Sequence, residues 1–260
     1  MMPELLDAGV AALVLAAYIA GLVDAVVGGG GLIQIPALFA TFPQAVPATL
    51  FGTNKFASVC GTANAAWRYA RRVRMPWRTI LPAAISAFLL SYAGAAAVAW
   101  LPKDAVRPLI LVLLVFAAVY TLRKKDFGLV HQPAHSGHRE VIYAVLLGGA
   151  IGFYDGFFGP GTGSFLIFLF VRVFGFDFLH ASAASKVVNV ATNLAAMAFF
   201  LPAGHILLPL AVGMAMANVG GSATGSWLAL RYGSGFIRGI FLCLAGLLII
   251  KFALDTFGSI

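Results

Sequence analysis

Two glycine-rich interruptions of otherwise apolar sequence constrain this chain more than any other feature. In LVDAVVGGGGLIQIPAL, residues 22–38, the block Gly28–Gly31 breaks a run whose only ionisable member is Asp24; GFYDGFFGPGTGSFL, residues 152–166, repeats the arrangement around Asp155. Each glycine costs a helix interior roughly 1 kcal/mol relative to alanine, so either block unwinds its segment unless something compensates. The runs around the blocks suit a bilayer. Ala8–Val27, Ile80–Leu101, Leu109–Leu122, Val141–Phe158, Ile206–Leu230 and Phe236–Leu254 read as spans, some clipped short in a way that tilt can absorb. Charged residues make up only 10% of the chain, against about a quarter in soluble domains. The expectation is an all-α polytopic membrane protein with about eight transmembrane helices.

Sliding the chain on itself by 131 residues aligns Gly21 with Gly152, Asp24 with Asp155, Gly28 with Gly159, Gly30 with Gly161 and Lys55 with Lys186, then Ser91 with Ser222 and Arg107 with Arg238. Apolar identities mean little in such a chain, but Asp, Lys and Arg recurring at one offset indicate two homologous halves. Residues 1–125 form a first repeat and 140–260 a second, joined by a cytoplasmic linker, 126–139. Each half reads as a glycine-broken helix or half-helix hairpin followed by further spans. Leu32–Phe42 would cover only about 16 Å, half of the hydrocarbon core, and reads as a half-helix.

The net charge of +8 comes from short basic clusters between spans, such as RYARRVRMPWR (68–78), and this is the positive-inside pattern, not a nucleic-acid footprint. Placing 68–78, 123–139, Arg172 and 231–238 in the cytoplasm gives each half an odd number of crossings and inverts the repeats. Four crossings per half, with parallel repeats, is the competing count. The N-terminus lacks a basic region, so its first span is expected to be retained. Cys60 and Cys243 lie in apolar spans and read as packing residues. No metal or other cofactor is expected: His131, His135 and His138 read as linker histidines, and His180 and His205 as solitary interfacial ones. No catalytic template is present, so no enzyme is expected.

In lipid, unwound backbone survives only where it lines a cavity or is buried in protein, and breaks at matching places of two repeats point to a transporter binding site. The half-helices after Gly31 and Gly161 aim main-chain N–H groups and the positive end of a dipole into the breaks, an arrangement that suits anions. The candidates are Gly29, Gly30 and Gly31 in the first half and Gly161, Thr162 and Gly163 in the second, with Ser164 as a further hydroxyl donor; close helix packing is the bland alternative. Lys186, Asn189 and Asn193 share one helical face, led by Ser182 and Ser185, and Lys55, Ser58 and Thr62 form the matching stripe beside Thr53 and Asn54. A lysine at depth marks a functional site unless it snorkels. Asp24 and Asp155 have three open roles: pairing with Lys55 and Lys186, carrying a coupling proton, or capping backbone freed by the glycines.

DAVVGGGGLIQIPAL and GTNK in the first half, with GFYDGFFGPGTGSFL and ASKVVNVATN in the second, resemble the sulfite exporter TauE/SafE family, also called the toluene sulfonate uptake permease family. The resemblance covers nearly the whole chain. It implies a multi-pass permease of the bacterial inner membrane that moves small organosulfur or related anions (sulfite, sulfonate, sulfoacetate), commonly outward. It also implies one central pocket with Asn54, Lys55, Lys186, Asn189 and Asn193 among its residues. The partners expected are the anion and the bilayer; a homodimer is left open. An anion channel and a non-transporting membrane assembly subunit are the rival readings.

Overall fold

The computed structural model describes residues 2–99 and 131–257. The expected span Leu109–Leu122, the basic run 123–125 and the first part of the linker lie outside the described residues. All regular structure among the described residues is helical: α1 (Met2–Val27), α2 (Gly31–Thr41), α3 (Pro47–Ala70), α4 (Trp77–Ala99), α5 (His138–Phe157), α6 (Thr162–Phe174), α7 (Phe178–Phe200) and α8 (Leu208–Phe257). Four of these contain stretches apolar and long enough to cross a bilayer unaided: Gly9–Val27, Trp77–Val98, His138–Phe157 and Phe178–Phe200. The glycine blocks do unwind the chain. Gly28 and Gly159 end their helices with φ of 77° and 92°, and Gly161 precedes α6 with φ of 80°, conformations that only glycine adopts without strain. The 11 residues of α2 and 13 of α6 are half-helices. α8 is broken at Gly233, whose φ of 70° separates the two apolar runs read as separate spans.

Helix starts repeat at the 131-residue offset: Gly31 and Thr162, Pro47 and Phe178, Trp77 and Leu208. The most extensive packing joins the halves. α4 lies along α5 and α1 along the first arm of α8. Glycines permit both approaches: at Gly148, Gly152 and Gly156 an added Cβ would strike the backbone of Ala83, Ala87 and Ser91, and at Gly221 and Gly225 that of Tyr18 and Leu22. Such small-residue stripes let membrane helices touch backbone to backbone. These contacts also fix direction. α1, α3 and the first arm of α8 run one way, since Gly52 meets His205 while Gly61 meets Asn218. α7 runs against α3, because Gly52 meets Phe200 at one end and Tyr69 meets Ser182 at the other. α3 and α7, whose starts match at the 131-residue offset, therefore point in opposite directions.

One end of the bundle gathers the C-terminus of α3 (Arg68, Arg71, Arg72), the start of α4 (Arg78), the start of α5 (Arg139), the end of α6 (Arg172) and Arg231 of α8. Arg78 and Thr79 both reach Glu140 there, tying α4 to α5. The positive-inside rule assigns this end to the cytoplasm.

Candidate functional site

The two breaks meet at the centre of the bundle. A Cβ added at Gly28 would lie 2.1 Å from the Gly163 carbonyl carbon, and the Ser164 N–H donates to the Gly28 carbonyl at 3.2 Å. Gly31 sits against Pro160, where an added Cβ would be 3.3 Å from its Cα. Around this junction the polar stripes of α3 and α7 face inward.

Both lysines are buried, and each pairs with the aspartate of the other half. Lys55 Nζ lies 2.6 Å from Asp155 Oδ2, both residues being 2% exposed. Lys186 is fully buried and lies 3.4 Å from Asp24 Oδ2; it also donates to the Asp24 main-chain carbonyl, near the negative end of the α1 dipole. Asp24 is 14% exposed and accepts the Thr62 hydroxyl at 3.1 Å. Of the three roles open for these aspartates, ion pairing is the one the geometry displays, and with both pairs formed the four groups sum to zero charge. Paired in this way, neither lysine presents an uncompensated charge to the junction.

Helix ends in lipid leave carbonyls without intrahelical partners. At the end of α1 three hydroxyls satisfy consecutive ones: Tyr69 Oη donates to Ala25 at 2.9 Å, Ser182 Oγ to Val26 at 3.0 Å and Ser164 Oγ to Val27 at 2.7 Å. The second break is braced by Tyr154, whose hydroxyl donates to Pro160 at 2.6 Å.

A cavity of about 20 Å³ lies between the breaks, room for about one water. Among the expected residues, Asp24, Gly31, Asn54, Lys55, Asp155, Gly163, Asn189 and Asn193 line it. Gly28, Gly159 and Ser58 line it as well. The same sequence signal covered all three: two are repeat-matched glycines, and Ser58 stands one turn after Lys55, at the offset position of Asn189. Gly29, Gly30, Gly161, Thr162 and Lys186 are not in the lining. Lys186 stands behind Asp24, and the Thr162 hydroxyl is spent on the Gly159 carbonyl at 2.7 Å. Ser164, expected as a free donor, is likewise committed to Val27. The Asn54 Oδ1 is buried with no hydrogen-bond partner among the described residues.

The histidines depart from expectation. His180 is not solitary: its ring nitrogen lies 2.9 Å from Asp177 Oδ1, and the ring stacks on His131 at 4.1 Å between centroids. His131, Asp177 and His180 could approach one ion, but stacked rings 29° apart hold their lone pairs in nearly parallel planes. This cluster binds the linker to the start of α7. His205 meets Thr49 at 3.3 Å at the other end of the bundle.

Paired broken helices meeting over buried ion pairs, inside a polytopic helical bundle, define a membrane transporter. The family model described as Sulfite exporter TauE/SafE matches residues 13–252, and the chain belongs to that family. It is 35% identical over 244 residues to a probable membrane transporter protein, ORF9, of a Sinorhizobium species, covering 94% of this chain and 92% of that one. It is 30% identical over 243 residues to the probable membrane transporter protein YfcA of Escherichia coli K12, covering 94% and 89%. A Haemophilus influenzae probable membrane transporter protein is 31% identical over 238 residues, 92% of each chain. No solved structure matches the chain. The protein is thus a multi-pass membrane transporter of bacterial type.

Proposed function

We propose that this protein is a secondary transporter of small organosulfur or related anions, of the sulfite, sulfonate and sulfoacetate class, working as an exporter. The anion is held between two inverted repeats by the N-terminal ends of the half-helices and by the buried lysines. The observation that carries this reading is the junction of the two breaks, with Lys55, Asn54, Asn189 and Asn193 facing it from two helices.

Charge balance adds a step. With two acids and two lysines already neutral as a set, an incoming anion is costly in a dry site unless one carboxylate gives up its charge. Asp24 is the acid best placed to do so: it is the more exposed of the two, and Lys186 retains the main-chain carbonyl when the carboxylate is lost. Protonation of Asp24 then frees positive charge for an oxyanion, whose hydrogen bonds to ammonium and main-chain N–H groups are charge-assisted. The small cavity favours a carrier over a pore, because a sulfonate enters only after the halves move apart.

Proteoliposomes containing the purified protein test the reading. Sulfite, sulfoacetate or a simple sulfonate is expected to show counterflow, in which unlabelled anion on one side accelerates entry of labelled anion from the other. Flux without counterflow would make the protein a channel, and no flux with no melting shift for any anion would support an assembly subunit. Asp24→Asn should remove the pH dependence of net flux while leaving exchange.

A further inference from the structure

A second cavity, roomier than the one at the breaks, lies elsewhere in the bundle. A cleft of about 640 Å³ opens between the ends of α3 and α8 and the start of α7, at the arginine-bearing end of the bundle. Arg68, Arg72 and Arg231 line it with Trp67 and Trp227, over Leu179 and Leu230. Among the described residues, no acidic side chain lines the cleft and none of these three arginines has an ion-pair partner. Arg68 Nε is buried without a hydrogen-bond partner among the described residues, although a guanidinium normally spends its donors on oxygens.

The cleft opens on exposed helix faces of the bundle. Trp227 and Arg231 continue the exposed stripe Leu208, Val212 and Met216, which repeats every fourth residue up one side of α8. Trp67 lies on the corresponding exposed face of α3, with Ala63 and Ala70. Tryptophan on a lipid-facing stripe marks the headgroup level. Each ring also carries a guanidinium, Arg71 over Trp67 at 4.9 Å and Arg231 over Trp227 at 5.1 Å.

We propose that this cleft binds the headgroup of an anionic phospholipid of the cytoplasmic leaflet. Its phosphate sits among Arg68, Arg72 and Arg231, and its glycerol and upper acyl carbons lie against Trp67, Trp227 and the two leucines. The size of the cleft selects this occupant. Pockets of 300–1,000 Å³ are those that enclose ligands of about drug size, whereas a sulfite-sized ion would leave most of this one empty. Basic pockets between membrane helices on the cytoplasmic side suit acidic headgroups. A bound lipid would bridge α3 of one half to α8 of the other, beside Tyr69, whose hydroxyl holds the Ala25 carbonyl at the end of α1.

The test uses the purified full chain, stripped of lipid in a neutral detergent, with phosphatidylglycerol or phosphatidylcholine added and bound lipid counted by native mass spectrometry. Phosphatidylglycerol is expected to remain bound and to raise the melting temperature; phosphatidylcholine is not. The variant Arg72→Gln with Arg231→Gln, both exposed positions whose loss leaves the lipid-free melting temperature unchanged, should bind phosphatidylglycerol roughly 30-fold more weakly. Arg68→Gln alone should weaken it as well. Equal retention of phosphatidylcholine, or full affinity in the double variant, overturns the proposal. So does displacement of the lipid by millimolar inorganic phosphate or sulfite, which would make the cleft a site for free anions.

Discussion

At the end of α1, Tyr69, Ser182 and Ser164 each donate a hydroxyl to one of three consecutive carbonyls; at the offset-equivalent places around the end of α5 stand Phe200, Phe51 and Ile33, which have no hydroxyl to give. The backbone plan is the same and the fastening differs. Hydrogen bonds fix the first break by distance and angle. Within the second break Tyr154 braces Pro160 and Thr162 braces Gly159, but its flank is packed by rings, Phe51 against Phe158 with centroids 6.4 Å apart and against Phe39 at 5.7 Å, and dispersion between rings tolerates sliding. The ion pairs follow a related division. Lys55–Asp155 is sealed on both sides, while Asp24 keeps some access to solvent. The hydroxyl-bolted side faces the arginine-rich end and the ring-packed side faces the opposite end. A transporter with this asymmetry is expected to open outward by parting phenyl rings, with the cytoplasmic side as its firmer fulcrum.

The comparison breaks most completely if the breaks are pushed apart. Gly28→Ala sets a Cβ within 2.1 Å of the Gly163 main chain at a φ of 77°, and neither side is a flexible side chain that can yield. The expected outcome is a loss above about 3 kcal/mol, with transport abolished. Gly31→Ala, whose Cβ would stand 3.3 Å from Pro160, should stay within about 1 kcal/mol of the parent. Melting temperatures of the two purified variants check this; equal effects would mean that the junction is not held backbone to backbone.

The ion pairs come next. Lys55→Met leaves Asp155 without its partner at 2% exposure and is expected to cost about 3–5 kcal/mol, much of it recovered in Lys55→Met with Asp155→Asn. Lys186→Met should cost less, since Asp24 keeps the Thr62 hydroxyl and some water. A double-mutant cycle on each pair gives the ranking, and a larger coupling for Asp24–Lys186 would reverse the assignment of the looser acid.

Smaller still is exchange of the fastenings. Tyr69→Phe removes the bond to Ala25 and is expected to cost about 1–2 kcal/mol in thermal unfolding. Phe200→Tyr offers the equivalent hydroxyl to the second break and should slow transport while raising the melting temperature. If Phe200→Tyr leaves the transport rate unchanged, the ring-packed side is not the one that moves.

Much of this arrangement is written in local sequence. The breaks follow from glycine chemistry, and the half-helix read as Leu32–Phe42 is α2, Gly31–Thr41. The two apolar runs flanking Gly233 are the two arms of α8. The inward stripe of α7 follows from helical spacing alone. What periodicity does not carry is the choice between partners in space. That each lysine crosses to the other half's aspartate depends on α3 running against α7, and a stripe of polar residues reads the same whichever helix it faces. For the same reason Ser164 and Thr162 look like free donors along the chain, although neighbouring carbonyls take their hydroxyls. His180 looks solitary because its companion His131 stands 49 positions earlier, in the linker.

That linker contact gives the smallest effect, and it separates the two ends of the bundle by pH. Gln132 N–H donates to the Gly175 carbonyl and Ala134 N–H to that of Phe174, seating the linker on the end of α6. Burial, with the neighbouring His180 charge, holds the His131 imidazole below its ordinary value against the pull of Asp177. Burial alone would raise the Asp177 carboxyl, yet the His180 N–H and ring bonds outweigh it and hold the group below the usual carboxylate value. A base that is harder to protonate when folded contributes stability above its unfolded value of 6.5, and this contribution is lost as pH falls through 6.5 toward the folded value. A depressed carboxylate contributes stability above 3.8 that is lost only as pH falls further, through its own folded value. Acid unfolding should therefore show two steps. His131→Gln should erase the earlier, shallow one below pH 6.5 and keep the later one, while Asp177→Asn should erase the later. At the opposite end His205 meets Thr49, and no such cluster stands there among the described residues. A His131→Gln protein whose melting temperature falls with pH as steeply as the parent's between neutrality and pH 5 would place the early step elsewhere.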